Sequence, residues 1–268
     1  MTATNQRLGL LIAAPGTSSA DAALTLQRIS QAATQRFPQL ESRWAYTSHG
    51  VLRKLAAQGR KVPDADEALT ALRRDGFTRV AVLSLHLSDG MEFGELAETV
   101  ATHLRGPEAF EALSLSTPLM ACQADLRRAF KILLADLPTP LAHDEGAVLV
   151  AHGSQDTQGG ARFAAAAALC REVDPRLHMG CMLGTPTLTD TLAACQAAKF
   201  RKIRLLPFMV AAGYSARVEI AGPAQNTWRT AFTAAGIDCE PVIQGLADHD
   251  GIVDLWMNQI DCMLGDLE

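Results

Sequence analysis

The chain carries six cysteines but no Cys-x-x-Cys pair. Small zinc modules hold their metal through such closely spaced pairs, so a structural zinc site is not expected. Cys170 and Cys195 fall in alanine-rich helical stretches, and the thiols read as free, mostly buried and kept in a reducing compartment. No apolar run approaches the roughly 20 residues that a membrane span needs. Lys/Arg runs are absent and the net charge is -5, which argues against nucleic acid as the main partner. Residues 1–7 are polar, and the apolar run from Leu8 to Pro15 is too short for a signal peptide and reads better as a strand. The expected location is therefore the cytoplasm. There is no P-loop and no Gly-x-Gly-x-x-Gly fingerprint, and no Gly-x-Ser-x-Gly elbow for a nucleophilic serine. What remains is an ordinary globular composition, 48% apolar and 20% charged over 268 residues. That length suits one large or two small domains with a sizeable core.

What the sequence does have is an internal repeat. Residues Phe77 to Glu92 can be laid over Phe200 to Ser215. Each copy is a basic turn, a buried apolar run and a loop with glycine at the same place, Gly90 and Gly213. The runs that open each half, Leu8 to Gly16 and Val148 to Gly153, also correspond. The copies differ where chemistry would sit: His86 and Glu92 align with Met209 and Ser215, and His152 aligns with Pro15.

Short apolar runs alternate with helical periodicity along the chain. Strands are expected at 8–14, 41–46, 80–85, 147–150, 178–182, 203–210 and 239–243. Helices are expected at 20–36, 50–59 (with a basic face), 66–74, 161–173, 188–199, 226–235 and 251–264. This order implies an α/β fold of two similar doubly wound parallel-sheet halves, 1–125 and 126–268, facing each other across a cleft. The terminal helix is expected to pack back on the N-terminal half. Ligands of such sheets bind beyond the carboxyl ends of the strands. Gly16, the loop from His86 to Glu92, His152 with Gly153, and Val210 to Arg217 all fall there.

His152 ends an apolar strand, where a neutral imidazole would serve as a metal ligand or a base; the bland reading is a histidine capping a strand. Glu92 enters a helix, a position that favours a carboxylate whether or not it does chemistry. His86, at the end of another apolar strand, reads as a satisfied core residue. His49, His103, His143, His178 and His249 are expected in surface or turn regions. The turns at Gly16-Thr17-Ser18 and Gly153-Ser154 could hold carboxylates through backbone N–H groups.

The motifs Ala14 to Ser18, Arg43 to Ser48, Ser84 to His86, Gly90 to Phe93, Val150 to Gly153 and Leu206 to Met209, taken in order, resemble the class II tetrapyrrole chelatases. The likeness is nearest to the anaerobic sirohydrochlorin cobaltochelatases and runs from about Leu8 to the final helix. It implies two α/β halves that hold a planar macrocycle, with a metal ion offered by histidines and a nearby acid. His152 becomes the metal ligand and proton acceptor, and Glu92 the acid near the metal. The family's second histidine belongs at Ser215, and serine is a poor ligand for a divalent first-row metal. Gly16, Thr17, Ser18, His86, Met209, Ser215 and Arg217 are the implied substrate contacts, with Arg43 as a further cation for the carboxylates. The implied activity is that of a lyase. It inserts a divalent metal, Co2+ first with Fe2+ or Ni2+ as alternatives, into sirohydrochlorin or a related tetrapyrrole for cobalamin or another modified tetrapyrrole. Co2+ is then a substrate, and no tightly bound cofactor is expected. The partner is the tetrapyrrole, with no nucleic acid and no membrane; a homo-oligomer is left open. The alternative, favoured by Ser215, is a chelatase-like protein without efficient catalysis that binds, carries or senses a tetrapyrrole or haem.

Overall fold

The computed structural model describes residues 7–155 and 157–267. The chain forms two compact units, one reaching to Ala121 and joined by residues from Val253 onward, the other from Cys122 to Ile252. The first contains β1 (Leu8–Ala14), α1 (Ala20–Arg36), β2 (Glu41–Tyr46), α2 (His49–Ala57), α3 (Ala65–Arg74), β3 (Arg79–Ser84), α4 (Met91–His103) and β4 (Ala112–Leu115). The second contains α5 (Gln123–Ala135), β5 (Glu145–Gly153), α6 (Thr157–Val173), β6 (Leu177–Leu183), α7 (Leu188–Ala197), β7 (Lys202–Pro207), α8 (Trp228–Ala234) and β8 (Asp238–Pro241). Helix α9 (Asp250–Leu267) closes the chain.

The sheets share one topology, β2-β1-β3-β4 and β6-β5-β7-β8, and every pairing is parallel. Parallel strands need crossovers, and the helices that supply them cover both faces. Leu11, Ala13, Val80 and Val82 pack with Ala68, Leu69 and Leu72 of α3 and with Leu96 and Val100 of α4. The alternate residues Leu10, Ile12, Ala81 and Leu83 point to the other face and are equally buried. Each fully buried leucine of this kind contributes about 1.5–3 kcal/mol relative to exposure. In the second unit Val148, Val150, Ile203 and Leu205 pack with Trp228 and Phe232 of α8.

Helix α9 docks on the first unit. Arg36 of α1 pairs with Asp261 and donates to Asn258 Oδ1 at 2.9 Å, and Ser114 of β4 donates to Asp266 at 3.2 Å. Among the described residues no helix is long and apolar enough to cross a membrane. The six cysteines are free, and four of them are buried.

Two of the histidines expected at the surface are buried. His178 is the second residue of β6, edge-on to Phe200 with ring centroids 5.6 Å apart. Burial lowers its pKa below the ordinary value. His249 turns inward before α9, with Nδ1 2.8 Å from Asp136 Oδ2. In each case the partner that draws the ring inside is remote in sequence. The short strand β4 and the helix α5 also had no expectation attached. At four half-buried residues, β4 is an edge strand too short to show a period.

Candidate active site at the carboxyl ends of the strands

A 2-1-3-4 sheet sends the chain one way from its first strand and the other way to its third. The loops after those strands part and leave a crevice at the switch point. In the first unit these loops follow β1 and β3, and in the second they follow β5 and β7. Apart from Arg43, the singled-out residues lie on or beside these four loops.

In the second unit Ala151 is fully buried, and the next residue, His152, is exposed at the end of β5. Gly153 sets this exit. Its φ is +77°, and a Cβ there would lie 1.9 Å from the Leu183 carbonyl oxygen and 2.7 Å from Cys181 Cβ. Glycine alone allows β5 and β6 to end so close together. At the end of β7, Met209 departs from the expected substrate contact: its side chain packs into the core with Ile220 and Trp228, because the strand turns inward there. The chain re-emerges at Tyr214, and Ser215 opens a π-helical turn, Ser215–Ile220. The Ala221 N–H donates to Ala216 O at 3.1 Å, the wide i to i-5 closure. Ala216 and Ile220 anchor this turn inside, Ser215 is half-buried, and Arg217 is exposed. Single π turns recur at functional sites.

In the first unit Gly16 corresponds to Gly153. Its φ is +87°, and a Cβ would meet the Tyr46 ring at 2.4 Å. The two halves thus reuse one device, a glycine against the end of the neighbouring strand. Thr17 Oγ1 accepts the Ser19 N–H at 3.1 Å, and Thr17 and Ser18 are half-buried. Glu92 sits in the first turn of α4, whose cap residue Gly90 supplies no side-chain hydrogen bond. The carboxylate is half-buried at a helix end that favours negative charge.

His86 is buried with both ring nitrogens taken, which corrects the expectation of direct substrate contact through them. Thr47 Oγ1 lies 2.9 Å from Nε2, and Ser84 Oγ lies 2.9 Å from Nδ1. The Thr47 hydroxyl donates to Ala14 O at 3.3 Å and so accepts from Nε2–H. Ser84 Oγ accepts the His86 backbone N–H at 3.3 Å and donates to Nδ1. This assigns the Nε2–H tautomer. The network fastens the ends of β1, β2 and β3 to one another.

Burial pulls the His86 imidazole down to about 4. The folded pKa lies below the unfolded value of 6.5, so the unfolded chain takes up the proton first. Stability from neutral His86 is therefore complete above pH 6.5 and lost as pH falls toward 4, by roughly 3 kcal/mol in full. His178 adds a loss of the same sign. Urea unfolding at pH 7.5 and pH 5 should show this slope in the wild type and a shallower one in His86→Gln. An equal slope in both would refute the assignment.

Arg43 lies elsewhere than the rim expected for it. It pairs with Glu41 at 2.7 Å and Asp75 at 2.8 Å, and its guanidinium stands 5.6 Å from the Phe77 ring centroid. These partners sit at the amino ends of β2 and β3, opposite the switch point.

A family model described as "Cobalt chelatase (CbiK)" matches residues 8–264. The chain belongs to the cobalt chelatase (CbiK) family. It is 34% identical over 260 residues to sirohydrochlorin cobaltochelatase CbiKC of Nitratidesulfovibrio vulgaris, covering 97% of this chain and 92% of that protein. To the sirohydrochlorin cobaltochelatase of Salmonella typhimurium it is 27% identical over 212 residues, covering 78% and 77%. Its fold is similar to that of SirB from Bacillus subtilis, solved with Fe3+, at a TM-score of 0.64 and 13% identity over 96% of this chain and 95% of that one.

One feature of this CbiK-family chain has no sequence signal of its own. Met91 and Tyr214 are 77% and 67% exposed, the two most exposed large apolar side chains among the described residues. The repeat makes them equivalent. Each immediately precedes the residue, Glu92 or Ser215, that the family resemblance places at the metal. Such side chains normally read as interior, and only the structure shows them outside.

Proposed function

We propose that this protein is a sirohydrochlorin cobaltochelatase, inserting Co2+ into the macrocycle with release of two pyrrole N–H protons. The reading is carried by the equivalent exposed pair Met91 and Tyr214. At the switch point of each unit a large apolar side chain stands beside a polar residue, as a planar ring with a polar centre requires. The relatives' activity agrees with it. His152, at the end of β5, accepts ring protons, and its imidazole suits a first-row divalent ion. Glu92 holds the hydrated ion or passes protons to solvent. The backbone of the Gly16–Ser18 turn and Arg217 receive carboxylates of the substrate, which carries eight. His86 acts at one remove, holding the strand ends in place. The six free thiols support work in the reducing cytoplasm.

Ser215 favours a second reading, a carrier or sensor of a tetrapyrrole. Comparing the wild type with Ser215→His decides between the two. For a working chelatase, the wild type turns over many equivalents of sirohydrochlorin. The variant then lowers the KM for Co2+ by about tenfold, as an added imidazole ligand should, with kcat of the same order. For a carrier, the wild type binds sirohydrochlorin without accelerating insertion, and the variant creates an activity the wild type lacks.

A further inference from the structure

On the β2 flank of the first unit's carboxyl edge lies a groove of about 580 Å3. Its walls carry Arg53 from α2 and Arg60 and Lys61 from the connection to α3, over an apolar floor of Leu52, Ala56 and Val62. Two carboxylates, Asp64 and Glu67, also line it, but both are occupied. Asp64 accepts the Glu67 N–H at 2.9 Å, and Glu67 reaches back to the Asp64 N–H at 3.3 Å. Glu67 also pairs with Lys61 at 3.2 Å. This capping box starts α3. The side chains of Arg53 and Arg60 have no hydrogen bond or ion pair of their own among the described residues.

The groove adjoins the Gly16 turn. The Tyr46 N–H donates to Pro63 O at 3.0 Å, so the connection after Lys61 runs alongside the end of β2. The Tyr46 ring lies against Gly16; burial raises its hydroxyl's pKa, and the Arg60 charge opposes that rise. Uncompensated guanidinium groups over an apolar floor suit a carboxylate on a short hydrocarbon arm: the floor takes the methylenes and the fork takes the anion.

We infer that Arg53 and Arg60 form a subsite for the peripheral carboxylate arms of the tetrapyrrole, setting affinity for highly carboxylated macrocycles rather than the rate of metal insertion. The inference rests on the function proposed above. The double variant Arg53→Gln/Arg60→Gln removes two exposed cations whose side chains make no hydrogen bond or ion pair among the described residues, so circular dichroism and thermal unfolding should match the wild type. The KM for sirohydrochlorin should rise at least tenfold, kcat should change less than threefold, and the difference should shrink at high salt. Fluorescence titration with an octacarboxylate and a dicarboxylate porphyrin should show the wild-type preference for the octacarboxylate collapsing in the variant. An unchanged KM, or a fall in kcat at constant KM, overturns the inference. So does saturable inhibition by inorganic phosphate at constant ionic strength with an unchanged sirohydrochlorin KM in the variant, which would mark a small-anion site. If the wild type shows no insertion activity, the functional reading fails. The porphyrin titration still tests the subsite by itself.

Discussion

Replacing His152 by alanine is expected to lower the rate of Co2+ insertion by about 10²–10⁴-fold, the usual contribution of a positioned proton acceptor. The size follows from the scarcity of other bases on these loops. The family resemblance assigns the place of a second imidazole to Ser215, and His86 has both ring nitrogens committed to Thr47 and Ser84. No other histidine lies on the switch-point loops. The side chain is exposed at the end of β5, so its removal opens no core cavity, and the unfolding transition should stay within about 0.5 kcal/mol of wild type. Steady-state kinetics should show the loss in kcat, with the KM for sirohydrochlorin little changed, since the proposed function assigns the holding of the ring to apolar and carboxylate contacts. A variant that unfolds like wild type and retains full kcat would remove His152 from the mechanism.

Gly153→Ala is expected to act on the fold itself. The added methyl would meet the Leu183 carbonyl oxygen at 1.9 Å, and backbone atoms cannot rotate away as a side chain can. The left-handed φ of +77° adds about 1–2 kcal/mol for any L-residue. Separating the ends of β5 and β6 brings the total to about 3 kcal/mol or more, in the range of strained-backbone and overpacked substitutions. The same movement re-aims His152. Denaturant unfolding should show a large drop in midpoint, and insertion activity should fall even at temperatures where the variant stays folded. A variant of wild-type stability would mean that β5 and β6 are not held as described.

The repeat made the loops at the strand ends legible. A polar residue closing an apolar run marks a strand end, and His152 with Gly153 shows it without ambiguity. The alternation of strands and helices gave β1, α1 and β2 with their observed bounds. What stayed hidden depends on partners remote in sequence. Met209 aligns with His86, and both turn inward at the end of a central strand, so matching positions said nothing about exposure. Arg43 reads as a spare cation until Asp75, 32 residues on, is seen beside it. The basic face of α2 was visible in the sequence. That its neighbouring acids are spent on the cap of α3 was not, nor was the lack of any hydrogen bond or ion pair at the Arg53 and Arg60 side chains among the described residues. Met91 and Tyr214 were hidden for the opposite reason: apolar residues where a loop enters a helix carry no mark of pointing outward.

The central claim is that the chain accelerates metal insertion, and the most direct test is anaerobic absorbance of sirohydrochlorin after addition of Co2+, with and without the purified protein. The account predicts conversion to the cobalt-bound spectrum faster than the protein-free reaction, continuing past one equivalent of protein. A spectral shift on mixing protein with sirohydrochlorin, followed by metallation no faster than in its absence, would contradict it.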